Sequence, residues 1–146
     1  MLRFKCRLVA TTGTSGAKCP QFHIDHVPVR WIQSFVGPGV ELVVGNKGVR
    51  WGAFSHMDDD DGDEDEDEDV FWTPQQRNEQ LVDGKAANIY SAQPGEAVLM
   101  LGSEWNQISA QASSATSSAV DPVVHKSPEL PESQSRVLLT QDIVID

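Results

Sequence analysis

The stretch CPQFHIDHVPVRWIQSFVGPGVELVV, residues 19–44, could be helix or strand, and the choice decides the fold. Pro20 and Pro28 argue for strand. Proline lacks a backbone donor, clashes with the preceding helical turn, and pushes the residue before it toward extended backbone. In an extended chain Val27, Val29, Trp31 and Phe35 share one face, with Pro28 at the start or edge of the strand. GPG at 37–39 is then a turn, and VELVV a second short strand.

Working outward, LRFKCRLVA alternates strictly, with Leu2, Phe4, Cys6 and Leu8 on one face and Arg3, Lys5 and Arg7 on the other. That is the period of a half-buried strand. VRWGAF, from Val49, reads as another strand, as do AANIYSA, EAVLMLG, PVVHKSP and the long apolar RVLLTQDIVI. Some eight strands separated by turn signals predict a closed barrel or a two-sheet sandwich. No amphipathic helix stands out, and a helix over 75–82 is the weakest element. The 146 residues make a single β-rich domain, 1–146. It opens directly on its first strand, as a chain shortened at its N-terminus would.

The formal net charge of −11 is local. DDDDGDEDEDED, residues 58–69, holds eleven acids around Gly62, half of the 22 in the chain; the other eleven balance the eleven basic residues. Such a run cannot be buried, so 56–70 reads as a disordered acidic loop. The polar, repetitive stretch 107–121 reads as a second. Neither composition nor charge points to nucleic acid. There is no apolar run of membrane-spanning length and no signal peptide, so a cytoplasmic, intracellular protein is expected. Cys6 and Cys19 form no CxxC pair and read as reduced thiols. The four tryptophans read as core.

The candidate chemistry lies in HIDH. On a strand His23 and Asp25 point to the same face, ~6.6 Å apart at ~3.3 Å rise per residue, and can converge on one ion; His26 points away. A third ligand must come from afar. His125, closing the apolar VVH, is the natural candidate; His56 abuts the acidic run. Two histidines and a carboxylate cover one face of a metal and leave positions open. Arg136, at the head of the last strand, could fork onto the carboxylate of a bound co-substrate. Each residue also has an ordinary reading: a chance HxD, a hydrogen-bonded histidine before a Ser-Pro turn, a solvated arginine.

In this order His23, Asp25, His125 and Arg136 resemble the HxD…H…R signature of the iron(II)- and 2-oxoglutarate-dependent oxygenases. The resemblance implies a double-stranded β-helix, the jelly-roll of the cupins. It also implies iron(II) on His23, Asp25 and His125, and 2-oxoglutarate anchored on Arg136. Many of these enzymes carry a serine two residues after the arginine, where this chain has Leu138. CPQFHIDHVPVRWIQSFVGPGVEL, PGEAVLMLGSEW and VVHKSPELPESQSRVLLTQDI are similar to a narrower, uncharacterised family, domain of unknown function 1826. Two further readings stand beside the oxygenase: a cupin-like module that binds metal or a small molecule without turnover, and an interaction protein whose acidic loop docks a basic partner. No residue identifies a substrate.

Overall fold

The turn after Val36 sends the two halves of the opening stretch into different sheets. Gly37 sits at φ +72°, a region that favours glycine, and a side chain there would collide with Ser135 O. Before it lies β2 (Val29–Val36) and after it β3 (Glu41–Val44). The computed structural model describes residues 2–14, 19–55, 73–112 and 118–145. In chain order the other elements are β1 (Leu2–Thr12), α1 (Trp51–Ser55), α2 (Pro74–Leu81), β4 (Asn88–Ser91), β5 (Ala97–Leu101), α3 (Trp105–Ala112), β6 (His125–Lys126) and β7 (Ser135–Ile145).

The protein is mainly β, in two antiparallel sheets rather than a closed barrel. One sheet has the order β1-β7-β2-β5, the other β4-β3-β6. β7 is the spine of the first: it pairs with β1 from Leu2↔Ile145 to Thr12↔Ser135 and with β2 from Arg30↔Asp142 to Val36↔Val137. Alternation puts Arg136, Leu138, Thr140 and Asp142 on one face of β7, and all four are buried. They turn toward the second sheet, because Arg136 Nη1 donates to Ser127 Oγ at 3.2 Å, just past β6.

The main apolar core is not between the sheets. Phe22, Val43, Leu81, Val82 and Val124 cluster on the far face of the small sheet, with Trp51 and Phe54 of α1 against them. Val43 and Val124 alternate with Leu42 and His125, which are paired across β3 and β6 and face the large sheet. The gap between the sheets is therefore markedly polar: Ser34, His125, Arg136, Thr140 and Asp142 are all buried there.

Several expectations change. VRWGAF contributes the short helix α1, not a strand. Helix α2 is real: Thr73 caps it with Gln76 in a reciprocal capping box, and Pro74 occupies its first turn. Helix α3 takes up 107–112 of the stretch read as a polar loop, and the acidic stretch 56–70 lies outside the described residues. In β1 the apolar face is the outer one: Phe4 is 64% and Leu8 69% exposed, while Arg7 turns inward to Asp142. Trp31 and Trp105 are half-buried rather than central, Trp51 packs half-buried on the core cluster, and Trp72 lies outside the described residues.

Candidate metal centre

His23 lies in an extended segment before β2, and a single antiparallel bridge ties it to His125 at the start of β6. Their main chains exchange hydrogen bonds, His23 N–H to His125 O at 2.9 Å and His125 N–H to His23 O at 3.1 Å. Residues directly opposite in such a pair carry their side chains on the same face. The two imidazole centroids are accordingly 4.3 Å apart. Asp25, two residues further along the extended segment, projects to that face as well. One ligand atom from each of the three residues falls within a 4.8 Å span.

Both rings are fixed in the same way. His23 Nδ1 lies 2.9 Å from Gln21 O and His125 Nδ1 lies 3.1 Å from Val123 O. A carbonyl can only accept, so in each ring the proton sits on Nδ1. Nε2 of each ring then faces Asp25. His23 Nε2 is 3.8 Å from Asp25 Oδ1, and His125 Nε2 is 3.1 Å from Asp25 Oδ2. Burial, then the neighbouring His125, hold the His23 imidazole below its ordinary pKa, so it is neutral at neutral pH. Burial pushes the Asp25 carboxyl up, but contact with His125 and the charge of Arg30 outweigh it; the carboxyl stays below its usual range and is ionised. Three ligand-type atoms thus converge, and Asp25 Oδ2 is buried without a hydrogen bond, 3.1 Å from His125 Nε2. A buried, unsatisfied carboxylate oxygen is costly. A divalent cation would satisfy all three donors at once, so the residues fit a metal. The site opens on the His23 side: its side chain is 32% exposed, against 6% for His125.

The structure brings together His23, Asp25 and His125 and keeps His26 out. His26 is exposed, with Nδ1 3.2 Å from Ser103 Oγ. His56 lies outside the described residues. Arg136 is in the gap between the sheets but touches none of the three. It is 5% exposed; Nε donates to Pro38 O at 2.9 Å and Nη1 to Ser127 Oγ. Burial lowers its pKa to about 10, so it remains charged at neutral pH. Among the described residues no carboxylate forms an ion pair with it. Leu138, on the same face, is also buried.

Two members of the site escaped the sequence reading. Arg30 reaches Asp25 Oδ1 through Nη1 at 2.6 Å, and Asp142 through Nε at 2.5 Å and Nη2 at 2.8 Å. Burial pulls the Arg30 guanidinium down, but Asp142 and Asp25 together hold it above its usual value. The signal that could have found them is a lone acid inside the apolar run VLLTQDIVI. An acid there needs a partner.

A model of one protein family, described as Protein of unknown function (DUF1826), matches residues 3–142. No curated protein matches the chain. No solved structure matches it either.

Proposed function

The chain belongs to the DUF1826 family, whose description assigns no activity, and we propose from the geometry that it holds a single divalent metal ion through His23, Asp25 and His125. The observation that carries this is the buried Asp25 Oδ2, which has no hydrogen bond and faces His125 Nε2 at 3.1 Å. Both imidazoles are set for ligation by a carbonyl on the second nitrogen, the usual outer support of a ligating histidine. Two histidines and one carboxylate make the donor set of open non-haem iron(II) sites, and iron(II) is the ion proposed. The test is metal analysis of protein purified without a histidine tag and reconstituted with iron(II), manganese(II) or zinc(II). His23→Ala and His125→Ala should lose most of the ion, and His26→Ala should keep it. Equal retention in all three variants would reject the site.

A second reading goes further and rests on Arg136. It is a buried cation with no ion pair among the described residues; the nearby Glu41, which attracts it, is itself paired with Lys126 at 2.6 Å. Such a charge is costly unless an anion joins it. In this reading its guanidinium anchors a carboxylate of 2-oxoglutarate, and the two facing sheets are the jelly-roll of an oxygenase. Bound iron(II) would supply the oxidising chemistry, with 2-oxoglutarate decarboxylated to succinate as a substrate is oxidised by dioxygen. The chain's own residues would do the rest: His23 and His125 present their Nε2 atoms, Asp25 supplies the balancing charge, and Arg136 binds and orients the keto acid. Titration calorimetry of the iron-loaded protein should detect 2-oxoglutarate binding. Arg136→Ala should weaken it by about 1.5–3 kcal/mol, a lost charge-assisted hydrogen bond, while the metal stays. Absence of keto-acid binding would leave a metal-binding module without turnover.

A further inference from the structure

Asp25 has two carboxylate oxygens, and the fold treats them differently. Oδ1 is held by Arg30 Nη1 at 2.6 Å; Oδ2 has no hydrogen bond. Arg30 is itself held. It stands directly opposite Asp142 in the β2–β7 ladder, and its Nε and Nη2 fork onto both oxygens of that acid. Asp142 is buried and takes a further contact from Arg7 Nη2 at 3.3 Å. The fork is therefore set by sheet register, and its free nitrogen is aimed at Asp25.

We infer that Arg30, backed by Asp142, is a positioning clamp that confines Asp25 to one ligating oxygen, Oδ2. The inference rests on the metal site proposed above. A free carboxylate can chelate a cation with both oxygens and so fill two positions. With Oδ1 engaged, Asp25 fills one, and a position stays open for an exogenous ligand. A guanidinium so close to a metal ligand would by itself repel the cation. Asp142 offsets that charge, although it also meets the half-exposed Arg7, so Arg30 acts on Asp25 by placement. This is what separates a clamp from a cross-strand ion pair that merely stabilises the sheet.

The test uses cobalt(II), whose visible absorption strengthens as its coordination number falls, on the full chain. The variant R30M/D142L removes one positive and one negative charge together and fills their space with apolar groups, a replacement that buried ion pairs often tolerate. It should fold, as judged by circular dichroism. It should bind cobalt about 10–100-fold more weakly, the usual loss when outer support of a ligand is removed. Its cobalt absorption should weaken as Asp25 adds its second oxygen. Arg30→Lys keeps the charge but not the fork, and should show the same spectral change with normal folding. Wild-type affinity and absorption in the folded double variant, or in Arg30→Lys should the double variant fail to fold, would overturn the clamp. A wild-type protein that binds no cobalt would instead overturn the metal site on which it rests.

Discussion

A methyl group at position 102 would collide with Val27 O and lie 2.6 Å from Asp25 O. Gly102 N–H donates to Pro28 O and Ser103 N–H to Asp25 O, each at 3.0 Å, so the end of β5 supports the main chain that carries the ligand Asp25. Gly102→Ala should therefore cost about 1–3 kcal/mol of stability, as overpacking does, and weaken metal binding as well. Thermal unfolding and a metal titration would check both; a stable variant with normal affinity would show that Asp25 is not held from this side. The site was half legible at this scale. His23 and Asp25 are two apart, and strand period alone puts them on one face. Their meeting with His125 needed a distant histidine in an apolar context. Arg30 and Asp142 were not foreseen because they are 112 positions apart and meet only through the register of β2 on β7. The order HxD…H…R suggested Arg136 as an anchor, but its burial without an ion pair among the described residues is visible only in the fold.

Short elements were the hardest to read, and α1 is the example. Trp51–Ser55 is too short to be stable by local propensity, and what fixes it is tertiary: Trp51 and Phe54 pack on the cluster that contains Leu81 and Val82. Helix α2 did carry a local signal, Thr-Pro-Gln-Gln at 73–76, which is a capping box with proline in the first turn. Thr73→Ala should cost about 1 kcal/mol, and Leu81→Ala, at 1% exposure, about 2–5 kcal/mol. Denaturant unfolding would rank them; the reverse order would mean that the cluster is not the core. For β1 the period was right but the inward face was not. Alternation defines two faces and does not say which meets a partner, and Arg7 turns in because Asp142 is there. Leu8→Lys, at a 69% exposed position, should change stability by no more than about 0.5 kcal/mol. A loss of several kcal/mol would mean that something covers this face in solution.

Across the whole molecule, the apolar core sits on one side of the small sheet and the polar site on the other. The cluster around Leu81 thus packs away from the site, while Met100 and Leu138 bury apolar surface on the site's side. Chelation should accordingly leave the far-ultraviolet dichroism nearly unchanged, and unfolding of the apoprotein by a chelator alone would contradict this separation. Deleting 58–69 should leave the thermal midpoint and metal affinity nearly unchanged, since a run of eleven acids cannot contribute buried apolar area. A midpoint lowered by several degrees would revive the idea that the run pairs with a basic surface. The pairing of β1 with β7 also bears on how the protein is made. Leu2 lies opposite Ile145 and Thr12 opposite Ser135, so β1 is completed by a strand made much later. Until β7 is made, an eleven-residue strand bearing Phe4 and Leu8 waits without its neighbour. Closure across nearly the whole chain is slow, and an unpaired strand edge invites intermolecular pairing in the meantime. Nascent chains stalled before residue 135 should therefore be sensitive to protease throughout β1 and become protected on release.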